Sequence, residues 1–276
     1  MPNHSSRGVY LKLMCRSLAV RPSEIAWASA FWAFGLFCLL LLLWQAAVLL
    51  LRIPEIILPT PVAIADYLVR RNQLFLRHTW PTLIQTVLGF GLAVVGGILL
   101  AILVSLTEIG KRGIMPLLVI AQIVPKIAVA PLFMLWFGLG DLSRVLIAFL
   151  IAFFPIVINT VSGLGSVSQE IVLLGRAFAR SRWELFWKIQ LPHALPYIFD
   201  GMKVSVTLAI IGVIVAEFVS SQSGLGYLIM FANGRLDTVM MMTSITVLSV
   251  VGLALYGVIA LAARVFVYWG AAKEAS

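Results

Sequence analysis

Apolar residues in this chain fall into long runs separated by short polar stretches. Six of those runs approach the roughly 20 residues a helix needs to cross about 30 Å of hydrocarbon at about 1.5 Å per residue. The first, Ile25 to Leu51, contains FCLLLLLWQAAVLLL and follows a tail bearing Arg7, Lys12, Arg16 and Arg21. Its apolar core is longer than that of a cleavable signal and no small-residue cleavage site follows it, so a retained helix is expected. Leu58-Pro59-Thr60-Pro61 breaks the chain, and Val62 to Arg71 reads as a short interfacial helix. The second run, Thr82 to Leu106, repeats Gly89, Ala93, Gly97 and Ala101 on one helical face, a ladder that lets helices approach closely in lipid. The third, Ile114 to Phe137, carries Pro116, Pro125 and Pro131, each lacking a backbone donor, which predicts a kinked or broken helix. The fourth, Leu142 to about Val161, contains Pro155. The fifth is Val204 to about Val219, and the sixth, Val239 to Trp269, is long enough to tilt.

Composition removes the soluble alternative. Of 276 residues, 62% are apolar and only 11% charged, with mean hydropathy +1.06; soluble domains have about 25% charged residues. The formal charge of +9 therefore reads as the basic bias of cytoplasmic loops rather than a nucleic-acid footprint, because no compact Lys/Arg block interleaves with aromatics. With six spans both termini share a side. Arg7, Lys12, Arg16, Arg21, Lys111, Arg112, Arg176, Arg180, Arg182, Lys188, Lys203 and Lys273 fall on that side, twice as many as Arg52, Arg70, Arg71, Arg77, Arg144 and Arg235 opposite. The bias places both termini, and the segment between spans four and five, in the cytoplasm. Cys15 and Cys38 form no CxxC pattern and no disulfide framework.

The longest polar segment between spans, Ser162 to Lys203, has its own design. Ser166 with Gln169 and Ser181 with Glu184 fit the capping box, in which a serine oxygen and a Glu or Gln side chain satisfy free N–H groups. Two short helices are predicted, about Val167 to Phe178 and Arg182 to about Gln190, the second stopping before Pro192. Their apolar residues Ile171, Leu174, Phe178, Leu185, Phe186 and Ile189 cannot all be hidden within so short a pair, so a partner or the membrane base must cover them.

Ile189-Gln190-Leu191-Pro192 resembles the end of the cytoplasmic E-A-A loop of ABC-transporter permeases, E-A-A, three residues, G, nine residues, I-x-L-P. The glycine position falls on Ala179, and the E-A-A positions on Leu173, Leu174 and Gly175, so the first half of the pattern does not match. The remaining chain resembles the nitrate/sulfonate/taurine branch of these permeases over roughly residues 40 to 265. The resembling segments are Leu58-Pro59-Thr60-Pro61, Thr82 with Gly89-Phe90, Pro125-Lys126-Ile127-Ala128 through Pro131-Leu132, Phe137-Gly138-Leu139-Gly140, Phe154-Pro155 with Asn159-Thr160, Leu191-Pro192 through Leu195-Pro196, Ala216-Glu217 and Gly224-Leu225-Gly226.

That resemblance implies an all-α membrane protein with six transmembrane helices, a MetI-like permease core and cytoplasmic coupling helices. The implied layout is a cytoplasmic tail over 1–24, a first helix with an outer interfacial segment over 25–79, the transmembrane domain over 80–270 and a C-terminal tail over 271–276. It further implies a subunit of a bacterial inner-membrane importer that dimerises, docks two ATPase subunits and receives solute from an extracytoplasmic binding protein. No cofactor is expected on this chain, ATP being used by the partner ATPase. The coupling loop would comprise Leu173, Leu174, Gly175, Ala177, Phe178, Ala179, Ser181, Glu184, Ile189, Leu191 and Pro192. Alanine where the family has glycine leaves two readings: an ordinary variant loop in a homodimer, or a weakly coupled subunit paired with a different permease.

Candidate pathway residues are Gln122, Lys126, Asn159, Thr160 and Glu217. Lys126, about 18 Å along the third span if the helix were continuous, would suit an anionic solute, or would instead bind carbonyls freed by Pro125. Glu217 would line an outer vestibule or pair with a neighbouring helix, and Gln122, Asn159 and Thr160 would line the path or join helices. Gly224-Leu225-Gly226 reads as a flexible outer turn. His4, His78 and His193 make no H-E-x-x-H, and no G-x-x-x-x-G-K-[ST] is present, so neither a zinc protease nor an ATP-binding chain is supported. The function expected is translocation of a small anionic or heterocyclic solute. An ATP-independent carrier or channel shares the apolar profile but has no need of an apolar docking pair.

Overall fold

The computed structural model describes residues 22–178, 181–220 and 222–267, and among them only helices, turns and connecting segments occur. The chain divides into two compact units, one ending at Ala63 and one starting at Ile64.

In the first unit α1 (Pro22–Leu50) exposes Phe31, Trp32, Leu40, Leu43 and Leu50 around its circumference, an arrangement stable against lipid and not against water. It ends with Arg52 in the left-handed region (φ 48), Ile53 N–H bonding Val48 C=O and Arg52 N–H bonding Leu49 C=O. This is the two-bond closure that satisfies terminal carbonyls.

The second unit opens with α2 (Pro61–Arg70) from Ile64 onward, followed by α3 (Asn72–Leu106). The third apolar run is broken as its prolines predict. A π-turn at Gly110–Ile114 leads into α4 (Met115–Ile123), a 3-10 turn at Lys126–Val129 leads into α5 (Ala130–Phe137), and the two halves meet at 81°. Then come α6 (Asp141–Gly165), α7 (Gln169–Phe178), α8 (Arg182–Leu185), α9 (Leu191–Ser220), α10 (Leu225–Gly234) and α11 (Thr238–Phe266). Among the described residues five helices can cross a membrane by length and composition, six if the bent pair counts as one span.

The core is built where small residues let backbones meet. Ala93 of α3, Ala148, Ala152 and Ile156 of α6, and Ala209 and Val213 of α9 form one buried cluster. All four members of the predicted ladder, Gly89, Ala93, Gly97 and Ala101, are buried. A Cβ on Gly89 would stand 2.6 Å from Ala148 Cβ, and one on Gly97 2.9 Å from Ile156 Cγ2, so α3 and α6 run parallel. Gly212 lies against Ala148, Gly201 against Pro155, and Gly163 against Ala194, so α9 runs antiparallel to α6. α7 and α8 therefore sit at one end of the helix layer, and the start of α6 and the end of α9 at the other.

Three local expectations are corrected. The second short helix does not stop before Pro192: α8 continues through a π-turn, Phe186–Gln190, into α9. The widened turn gives room for the proline ring and absorbs its missing donor. Ser166 does not cap α7; its hydroxyl donates to Gly163 C=O at 2.8 Å at the end of α6. Ser168 takes the capping position, accepting from Ile171 N–H at 3.5 Å. Gly224-Leu225-Gly226 is not a flexible turn: Gly224 (φ 107) starts α10, and Leu225 and Gly226 are buried in its first turn. α10 spans about 15 Å, half a membrane.

Candidate functional site

At the loop end, α7 and α8 form a helical corner with an apolar groove of about 400 Å³ lined by Ile171, Leu174, Phe178, Leu185 and Ile189 among others. Gly175 is buried and lets α7 close on α8, since a Cβ there would strike Leu185 Cδ1 and come within 2.9 Å of Ile189 Cδ1. Leu185 and Phe186 are covered, whereas Leu173, Leu174 and Phe178 are exposed, Phe178 to 86%. Ser181 caps α8 as predicted, accepting from Glu184 N–H at 3.2 Å. The Glu184 carboxylate takes Lys188 Nζ at 2.7 Å. Ala177 and Ser181 are exposed, and Leu191 and Pro192 half-buried. Ala179 lies outside the described residues.

At the break between α4 and α5, Lys126 is half-buried. Its Nζ donates to Gln122 C=O at 2.8 Å and stands 4.5 Å from the centre of the Phe154 ring. The ammonium thus meets the negative end of α4, where the last carbonyls have no helical partner. Gln122 is exposed. On α6, Asn159 Nδ2 donates to Pro155 C=O at 2.8 Å, the carbonyl one turn back. Thr160 is buried, and its Oγ1 has no hydrogen-bond partner among the described residues.

The opposite end holds a polar cluster whose partners lie far apart in the chain. Glu217, 1% exposed, accepts from Thr82 Oγ1 at 2.7 Å and from Gly226 N–H at 2.7 Å. Thr82 Oγ1 in turn accepts from Leu225 N–H at 2.9 Å, and His78 Nδ1 from Gly224 N–H at 3.1 Å. The His78 ring stacks on Tyr227. Three successive amides at the start of α10 are thereby satisfied by side chains of α3 and α9, with a carboxylate at the positive end of the helix. Beside them Gln85 Nε2 and Arg144 Nη1 both donate to Asp141 Oδ1 at 2.9 Å, tying α3 to the start of α6.

The sequence singled out Glu217 but not Thr82, His78, Gln85 or Arg144 as its companions. In the sequence Thr82 stands only as the start of the second apolar run and as part of the resembling segment with Gly89-Phe90, with nothing to link it to Glu217. The structure brings Glu217 and the Thr82 group together at one end, the coupling-loop residues at the other, and Lys126, Gln122 and Phe154 at the break.

A layer of helices long and apolar enough to cross a membrane, with one broken span and a helical corner exposed at one end, has the form of a multi-pass membrane protein. Residues 93–272 match the family described as binding-protein-dependent transport system inner membrane component. The riboflavin transport system permease protein RibX of Chloroflexus aurantiacus is 37% identical over 235 residues, covering 84% of this chain and 88% of that one. A putative aliphatic sulfonates transport permease protein, SsuC of Bacillus subtilis, is 34% identical over 226 residues, covering 80% and 82%. In fold, the chain is similar to a chain of the MetNI methionine ABC transporter in inward-facing conformations, with TM-score 0.61 at 18% identity, covering 71% of this chain and 98% of that one. The chain belongs to the binding-protein-dependent inner membrane component family. It is a permease subunit of an ABC importer and not an enzyme; in this family ATP hydrolysis resides on a separate subunit.

Proposed function

We propose that two copies of this chain form the translocation pathway for a small anionic or heterocyclic solute, and that residues from Leu173 to Pro192 pass the movement of the ATPase subunits to the spans. The observation that carries this reading is the exposed apolar face of α7, with Phe178 at its tip and a groove between α7 and α8 behind it. A face of that kind in water costs about 25 cal/mol per Å² of apolar surface, and an ATPase surface would cover it. Lys126, Gln122, Asn159 and Thr160 are the pathway candidates. Riboflavin and sulfonate permeases among the relatives suit a heterocycle or an anion. Glu217, sealed in the cap of α10, acts in this reading through α10. The basic bias puts both termini and the α7–α8 corner in the cytoplasm, with solute delivered from outside by a binding protein. No cofactor is assigned to this chain, and ATP is used by the partner.

Affinity purification from native membranes with mass spectrometry of the partners tests the assembly. About one ATPase chain per permease chain, with no second permease sequence, is the expected result. A different permease at equal amount would replace the homodimer by a heterodimer. Consistent absence of an ATPase in mild detergent, with solute transport by the chain alone in vesicles, would overturn the reading in favour of an ATP-independent carrier.

A further inference from the structure

One helical run, Trp183–Val219, joins the two ends of the layer. It covers about 55 Å at 1.5 Å per residue. Near its start, Leu185 and Ile189 pack under Gly175 of the docking pair. Near its finish, Glu217 holds the first turn of α10 through Gly226 N–H and Thr82 through its hydroxyl. α10 has no capping side chain of its own, because its N-cap residue is Gly224. Its attachment is delegated to α9 and α3.

We infer that Glu217 is a positioning residue, the point at which a tilt of α9 is handed to α10, with Thr82 as its partner on α3. The inference rests on the proposed docking of the ATPase at α7 and α8. The chemistry favours joint movement over sliding. Glu217 is buried, so no water competes for its oxygens, and separating α9 from α10 would leave one carboxylate oxygen of Glu217 and the Gly226 amide unpaired in a dry site. The fit is also close: a Cβ on Gly226 would stand 2.9 Å from Glu217 Cβ, and one on Gly224 would overlap the carboxylate. α10 is too short to span the membrane and packs through Leu225, Leu228 and Ala232 against Phe75 of α3 and Met240 of α11. A push at α8 thereby reaches a half-length helix at the opposite face.

The test uses the complete transporter in proteoliposomes, with Cys15→Ser and Cys38→Ser and a single reporter, Leu228→Cys, on the buried face of α10. With Glu217 present, the rate of labelling by a membrane-impermeant maleimide is expected to change between the nucleotide-free and ATP-trapped states. Glu217→Ala is expected to abolish that response and to cut solute uptake by roughly tenfold or more, the scale of a lost charge-assisted bond, while the ATPase still copurifies. Glu217→Gln retains an acceptor for Gly226 N–H and is expected to restore the response. A nucleotide response that persists in Glu217→Ala overturns the inference. If Glu217→Ala does not assemble, Thr82→Val carries the test, and an undiminished response there overturns it equally. Failure of the docking reading shows separately, as ATPase binding unaffected by Phe178→Asp.

Discussion

Lys126 closes the break it stands beside: its ammonium donates to the carbonyl of Gln122, four residues earlier, at 2.8 Å and lies over the ring of Phe154 from α6. Pro125 has no donor for the Ala121 carbonyl and α4 ends at Ile123, so the Gln122 carbonyl in its last turn has no helical partner and takes an ammonium instead of water. The same ammonium has three donors, so it can meet an anionic solute without giving up Gln122.

That geometry fixes a first prediction. Lys126→Met is expected to raise the apparent KM for an anionic solute about 10-fold to 100-fold, the range for a hydrogen bond to a charged group, with a smaller effect on the maximal rate. Lys126→Arg should stay within a few-fold of the parent. Uptake kinetics in proteoliposomes measure both, and an unchanged KM in Lys126→Met would confine Lys126 to holding the break.

The α6–α9 contact gives a stability prediction. A Cβ on Gly212 would lie 2.9 Å from Ala148 Cα and 3.2 Å from Ala148 N, and backbone cannot step aside as a side-chain tip can. Gly212→Ala should destabilise the protein by about 1–3 kcal/mol. Gly257→Ala on α11, where nothing lies within 4 Å of the added carbon, should be neutral or stabilise by up to about 1 kcal/mol. Thermal inactivation in detergent compares the two.

These contacts show which parts of the structure local pattern can reveal. Gly89, Ala93, Gly97 and Ala101 are legible because small residues every fourth position mark one helical face, and that face is buried. The break at Pro125 is legible because a missing donor has the same consequence in any helix. The continuation through Pro192 is not, since the π-turn that accommodates it leaves no periodic trace. α10 is hidden by being half a span long and by starting at a glycine that reads as a turn. Glu217 stands out as a lone acid in an apolar run, but Thr82, 135 residues away, is placed beside it only by the packing of α3 on α9.

Tyr67 offers a pH-dependent readout away from the spans. Burial pushes its phenol above the usual tyrosine value near 10, and the Asp237 carboxylate pushes the same way. Asp237 also caps α11, accepting from Met240 N–H at 2.9 Å. Because the folded state holds the proton more tightly than the unfolded chain, Tyr67's contribution is complete below the ordinary tyrosine range. It is lost as pH rises through the raised value. An ultraviolet titration should show a late-ionising phenol that disappears in Tyr67→Phe. A spectrum unchanged by that substitution would contradict the placement.

The docking pair supplies the last prediction. Phe178 is 86% exposed, so replacing it costs the isolated permease little, within about 0.5 kcal/mol as for other surface sites. Under an ATPase surface the same ring would be buried, and an aspartate there would carry an unpaired charge into an apolar contact. Phe178→Asp should therefore insert into the membrane and melt like the parent while recovery of the ATPase on copurification falls by roughly tenfold or more. Phe178→Leu, which keeps apolar bulk, should retain most of it. Equal recovery with all three chains would place the ATPase contact away from Phe178. A loss shared by Phe178→Leu would point instead to a requirement for the aromatic ring itself.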